Sequence, residues 1–414
     1  MVAVGAILAS LSFLLAISLS RIYLSVRRRW RGWSIAQVQD GTKHVVAVQK
    51  LRNRVLDLYC QVISLTVGVE FYITFLPFLF WVGESQLARS MTLLMALAVY
   101  TGNAMKDVLC APRPLCPPVK RLVKGHGVQE YGMPSTHALN GICMTCYLLH
   151  WYWSRGALTP HQMLIITIIL IIWIFSVCFG RLYLGMHSPS DLAVGVVFGV
   201  VLLVYWCLID DYIDAWVTTG SQVPLFQICM SAVLIYSYPV PLDPTPSYVY
   251  AVYFTGVAFG VITGCWRQFA RFHCPASSAL HYAHRRNLDT LTGWYILGGR
   301  MVVGMICVLF FKFALDFLCQ KALPPLCAAF GIPTTDVSSP SSSQWEKDKS
   351  PKSKDAVDKT PSRDDPLLTP PACDNCGSTP WTFNITTARR FVSYAGVGWA
   401  VVEPSMFLFE IFGL

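Results

Sequence analysis

The chain has 414 residues, of which 54% are hydrophobic and only 13% charged, with a formal net charge of +9. Soluble domains carry charge on about a quarter of their residues, so the composition points to a bilayer protein rather than an ordinary water-soluble one. The Lys and Arg residues sit beside apolar runs, where they orient spans and meet lipid head groups, and no nucleic-acid-binding motif accompanies them. The expected fold class is all-α: a polytopic transmembrane helix bundle.

From the N-terminus, the first apolar run is Val2–Ser20. No basic residue precedes it, while Arg21, Arg27, Arg28, Arg29 and Arg31 follow. This reverses the charge pattern of a cleaved signal peptide and predicts a retained span. Further spans are predicted at Cys60–Gly83, Ser90–Met105, Pro134–Trp153, Gln162–Gly180, Leu192–Ile209, Pro224–Leu242, Tyr248–Gly264, Tyr295–Cys319 and Phe391–Phe412. A helix rising roughly 1.5 Å per residue needs about this length to cross some 30 Å of hydrocarbon. Ser90–Met105 is short, and Phe391–Phe412 carries Glu403, Pro404 and Glu410, so the count is nine or ten. Glu70, Arg300 and Lys312 fall inside spans, where charge is costly. Each belongs either to an interhelical ion pair or near a substrate, and Lys312 is also long enough to snorkel.

The segment Thr334–Pro380 is rich in Ser, Pro, Lys and Asp and cannot bury a core, so disorder is expected there. The division is an N-terminal span with a basic segment (residues 1–59), a membrane domain (60–330), a disordered linker (331–380) and a C-terminal membrane segment (381–414). Most of the 15 cysteines, such as Cys143, Cys146, Cys178, Cys207 and Cys229, lie in apolar runs and act as small hydrophobes. Cys373 and Cys376 form a single C-x-x-C, which without a second pair reads as linker rather than zinc site.

Three clusters at span ends carry chemistry. In the first, Lys106 and Arg113-Pro114 follow a span. A point charge and a planar fork of donors suit a phosphate dianion, although such cations also serve as topology signals. The second is Tyr131-Gly-Met-Pro134-Ser135-Thr136-His137. It reads as a helix start with Pro134 at the first helical position, free N–H groups, two hydroxyls and an imidazole that titrates near neutrality. A capped helix with an incidental histidine has the same appearance. The third runs from Gly180-Arg181 to His187-Ser188-Pro189-Ser190-Asp191. Ser188 fits an N-cap, Pro189 the first position and Asp191 the third, close to a capping box, with His187 just outside the helix. Asp191 is placed to orient the imidazole, to cap the helix, or both. Counting crossings brings all three clusters to one membrane face.

The spacings Lys106-x6-Arg113-Pro114, Pro134-Ser135-x-His137 and Arg181-x5-His187-x3-Asp191 together resemble the type 2 phosphatidic acid phosphatase superfamily over about residues 106–200. The wording YGMPSTHA and YLGMHSPSDLAVG is most similar to sphingosine-1-phosphate and long-chain-base-phosphate phosphatases. The resemblance implies a phosphoric monoester hydrolase without cofactor or metal. His187 would be the phosphoryl-accepting nucleophile, Asp191 its orienter and His137 the acid for the departing lipid oxygen. Lys106, Arg113, Ser135, Thr136 and Arg181 would bind the phosphate. The substrate would be a phosphorylated sphingoid base or another lipid phosphate drawn from the membrane, with no nucleic-acid partner. Two positions depart from the common pattern: Gly180 stands where serine is usual, removing a hydroxyl, and Thr136 stands where many relatives have glycine.

The competing expectations are a broad-range phosphatase acting on phosphatidic or lysophosphatidic acid, a soluble phosphomonoester hydrolase, and an inactive transporter or scaffold on the same fold. The crossing count puts the basic stretch Arg21–Arg54 on the site's face. The positive-inside rule makes that face cytosolic, whereas the resemblance implies a lumenal site in the endoplasmic reticulum membrane. Asn384-Ile-Thr386 is a glycosylation sequon on the same face, and no K-D-E-L-type signal ends the chain.

Overall fold

The computed structural model describes residues 2–123, 130–243, 245–272, 291–329 and 385–414, with side chains from residue 21 except at 271, 272 and 291. Every regular element among the described residues is a helix: α1 (Val2–Gln49), α2 (Arg54–Leu65), α3 (Val69–Trp81), α4 (Ser85–Leu109), α5 (Thr136–Ser154), α6 (Pro160–Tyr183), α7 (Pro189–Thr219), α8 (Val223–Tyr236), α9 (Ser247–Phe272), α10 (Leu291–Ala329), α11 (Ile385–Val402) and α12 (Pro404–Phe412). The expected linker, the Cys373/Cys376 pair and Asn384 lie outside the described residues.

By length and composition five helices are able to cross a membrane: α6, α7, α9, α10 and the stretch Ile385–Phe412. A sixth forms if α2 and α3 count as one span bent by 46°. The expected Cys60–Gly83 span is therefore broken, at Thr66-Val-Gly68. The smaller count has a physical cause. Helix α4 lies at the centre, packed by α1, α3, α5, α7 and α9. Burial there is against protein, so α4 carries buried Arg89, Asn103, Lys106 and Asp107 and need not be apolar. Helix α8 is apolar but short.

The core gathers around Trp81, Leu87, Met91, Leu94, Met95, Leu139 and Tyr147, all fully or almost fully buried. Helices α9 and α11 approach closely because Gly256, Gly260 and Gly264 form a small-residue stripe facing Ala395, Trp399 and Val402, as membrane helix pairs often do.

One turn into α4, Arg89 forks onto Asp214 of α7, with Nε and Nη2 each 2.8 Å from Oδ1. About 25 Å along the helix from Lys106, this pair pins the end of the bundle away from the Lys106 cluster. Arg89→Met leaves the half-buried Asp214 carboxylate without its guanidinium partner, a cost of about 1–3 kcal/mol. The expected result is a clearly lower half-inactivation temperature of the purified protein, with much of it recovered in Arg89→Met/Asp214→Leu. A double variant no more stable than the single one would refute the account.

The charged span residues lie elsewhere. Arg300 donates to the carbonyls of Trp81 (2.9 Å) and Leu414 (3.1 Å), Lys312 lies over the Phe313 ring, and Glu70 is exposed in the first turn of α3.

Candidate active site

The three clusters meet where α4 ends, α5 begins and α6 turns into α7. Helix α4 ends at Cys110, which adopts the left-handed region at φ 47°. Lys106 in its last turn is 1% exposed. Its ammonium bonds the carboxylate of Glu130 and donates to Thr136 Oγ1 at 3.2 Å. The helix end is held from two sides. Arg27 of α1 donates to the carbonyls of Asp107 (2.7 Å) and Val108 (3.0 Å). The Asp107 carboxylate accepts from the hydroxyls of Tyr238 and Thr245, each at 3.0 Å. Part of the basic stretch after the first span thus holds the site together rather than only setting topology.

Arg113 links the first cluster to the other two. Its Nε donates to the Glu130 carbonyl at 2.9 Å and its Nη1 to the Met186 carbonyl at 2.6 Å. The same Nη1 lies 3.4 Å from His187 Nε2. These contacts fix the fork beside the imidazole.

The start of α5 differs from expectation. Pro134 does not begin the helix; the first helical residue is Thr136, Ser135 is the extended N-cap, and the Met133–Pro134 peptide is cis. The Ser135 N–H donates to the Asp191 carbonyl at 3.0 Å, which holds the run-in to α5 against the start of α7. The approach requires glycine at 195, where a Cβ would stand 2.6 Å from the Ser135 carbonyl oxygen.

The start of α7 follows expectation. Ser188 Oγ accepts from Asp191 N–H at 3.3 Å and Asp191 Oδ2 accepts from Ser188 N–H at 2.8 Å, a complete capping box. Asp191 also faces the imidazole, with Oδ2 3.7 Å from His187 Nδ1. That is longer than a hydrogen bond, a gap of the kind that closes when substrate tightens a site.

His187 and Asp191 are both 0% exposed. Burial, first, and then the charges of Arg113, Arg181 and Lys106 push the His187 pKa well below its ordinary value. His137 lies near enough to add to this effect. The ring is therefore neutral, and with Nδ1 toward Asp191 the lone pair on Nε2 points to the Arg113 side. Four buried atoms here have no hydrogen-bond partner among the described residues: Ser135 Oγ, Arg181 Nε, His187 Nδ1 and Asp191 Oδ1. A hydroxyl and a guanidinium N–H without acceptors, beside a neutral imidazole and a buried ammonium, fit a phosphoryl group whose oxygens supply what the protein does not.

Glu130 was not foreseen. Its carboxylate binds Lys106 and lies 3.9 Å from Arg113 Nη2. Burial raises its pKa, but the charges of Lys106 and Arg113 outweigh this and hold the carboxyl below its usual range. In sequence it is one acidic residue four positions before Pro134, with no spacing that ties it to Lys106.

A model of the PAP2 superfamily matches residues 87–213, which include all three clusters. Lipid phosphate phosphatase delta of Arabidopsis thaliana is 35% identical over 399 residues, covering 93% of this chain and 91% of the relative. A dihydrosphingosine 1-phosphate phosphatase of Schizosaccharomyces pombe is 26% identical over 393 residues, covering 93% and 91%. Sphingosine-1-phosphate phosphatase 2 of Mus musculus is 35% identical over 241 residues, covering 56% and 63%. No solved structure matches the chain.

Proposed function

We propose, since the chain belongs to the PAP2 superfamily and is a lipid phosphate phosphatase, that it hydrolyses the phosphomonoester of sphingosine-1-phosphate or a related long-chain-base phosphate through a phosphohistidine on His187. The observation that carries this reading is the fully buried His187 with its Nε2 beside the Arg113 fork, among the charges of Lys106 and Arg181. The relatives named for sphingosine-1-phosphate and dihydrosphingosine 1-phosphate support the choice of substrate.

In the proposed reaction, His187 Nε2 attacks phosphorus in line as the ester P–O bond breaks. His137, which takes up a proton as the dianionic phosphate offsets the cations around it, gives that proton to the departing alkoxide. Asp191 takes the charge that develops on the imidazole through Nδ1–H. Water then attacks the phosphohistidine, His137 removes its proton, and the P–N bond breaks to release inorganic phosphate. Lys106, Arg113 and Arg181, with the Ser135 and Thr136 hydroxyls, neutralise charge on the equatorial oxygens, which is most of what phosphoryl transfer requires.

The same reading places the chain in the endoplasmic reticulum membrane with nine or ten crossings, α4 and α5 being protein-enclosed spans. A membrane-edge site lets the head group reach the cations while the hydrocarbon chain stays in the bilayer. The test is phosphate release by the purified chain from sphingosine-1-phosphate and from phosphatidic acid, with and without chelator. The expected result is a several-fold higher kcat/KM for the sphingoid phosphate, unchanged by chelator. Equal rates would favour a broad-range lipid phosphatase, and loss of activity in chelator would overturn the role given to the three cations.

A further inference from the structure

We infer that Glu130 is a specificity residue: its carboxylate receives the ammonium of a phosphorylated 2-amino alcohol while the phosphate occupies the neighbouring cations. The inference rests on the substrate class proposed above.

A carboxylate in contact with a phosphate-binding lysine is unexpected in a site built only for anions. The Glu130 side chain is 12% exposed, its Oε2 is on Lys106, and it lies within reach of Arg113. It therefore occupies the cation set that a phosphate needs. A dianion that takes Lys106 also brings negative charge against Glu130, and two like charges in a buried site repel. That conflict weakens any substrate that is anionic throughout, as phosphatidic acid is.

The conflict is resolved if the substrate carries its own cation close to the phosphate. In a sphingoid base phosphate the amine is on the carbon next to the one bearing the ester oxygen. When the phosphate draws Lys106, this ammonium is placed to replace it on Glu130, so the carboxylate stays paired. Main-chain geometry holds the group ready for the exchange: the Glu130 carbonyl is fixed by Arg113 Nε at 2.9 Å, and the next residue, Tyr131, bonds Asp243 through its hydroxyl (3.2 Å). A pocket that pairs a buried charge rejects substrates lacking the partner more strongly than it rejects a change in hydrocarbon.

The experiment compares kcat/KM of the purified full chain on sphingosine-1-phosphate and on N-acetylsphingosine-1-phosphate, which keeps phosphate and chain but has no cation. The wild type is expected to prefer the free amine by about tenfold or more, the size of one charge-assisted contact. In Glu130→Gln the ratio of the two constants should fall about tenfold, while Glu130→Asp keeps most of the preference. A wild type without preference for the amine overturns the inference whether or not the variants fold. So does a Glu130→Gln enzyme that is slower on both compounds with an unchanged ratio, since Glu130 would then only hold Lys106. A wild type that hydrolyses neither compound overturns the functional reading, and this inference with it.

Discussion

His187→Ala is expected to lower kcat/KM for phosphate release by on the order of 10⁴-fold or more, because it removes the atom that would form the covalent intermediate. The fold should survive. His187 lies in the turn between α6 and α7, and that turn is held by main-chain bonds and the Ser188–Asp191 box rather than by the ring. A variant with near wild-type turnover would sink the nucleophile assignment. The same residue sets a pH expectation. Its pKa is held well below the usual value of about 6.5. The nucleophile therefore stays unprotonated through that pH, so an acid limb near pH 6 belongs to other groups, the second ionisation of the substrate phosphate among them. Stability follows the same sign. Below about pH 6.5 the unfolded chain binds a proton at this position and the folded chain does not, so stability is lost as pH falls. The measurements are kcat/KM and half-inactivation temperature against pH. An acid limb at or above pH 6.5 traceable to His187 would contradict the assignment.

Arg113→Ala is expected to cost roughly 10³-fold in kcat/KM, more than one lost phosphate contact would. The side chain does two jobs: it presents a cation next to His187 Nε2, and it ties the Glu130 and Met186 carbonyls together. Truncation leaves both carbonyls without these donors and frees the two loops whose spacing defines the attack geometry. Arg113→Lys restores charge but cannot reproduce a planar fork that serves two loops at once, so it should recover only a small part of the loss. Steady-state kinetics on purified protein decide this. A lysine variant close to wild type would show that charge alone matters.

The sequence made the ends of helices readable and their middles less so. Ser188, Pro189 and Asp191 announced a helix start because capping chemistry is local, and the structure has that box. Pro134 misled for the same reason. Locally it suits a first helical position, but the Ser135 N–H bonds to Asp191, far along the chain, and the helix begins later. Span counting weighs apolar length alone and does not tell a helix enclosed by protein from one that faces lipid. Arg89, Lys106 and Asp107 on α4 show that a helix enclosed by other helices keeps polar groups that lipid would reject. That residues of the three clusters come together around His187 was legible because three spaced patterns agreed. Glu130 was not, because its partner Lys106 is met only through folding. Arg27 was likewise read for its charge alone, whereas it donates to the carbonyls at the end of α4.

His187 is strung between α6 and α7, two helices whose outward faces are largely unshielded by protein: Ile168, Ile169, Ile171, Ile172 and Phe175 on one, Val197, Val200, Val201, Val204 and Leu208 on the other. In a bilayer these faces would meet acyl chains, while the opposite faces pack on neighbouring helices. Lipids shorter or longer than the hairpin's apolar length tilt the arms to hide the mismatch. Tilt at the arms would become displacement at the turn they share, and under the proposed mechanism the position of His187 Nε2 would then follow the thickness of the surrounding bilayer.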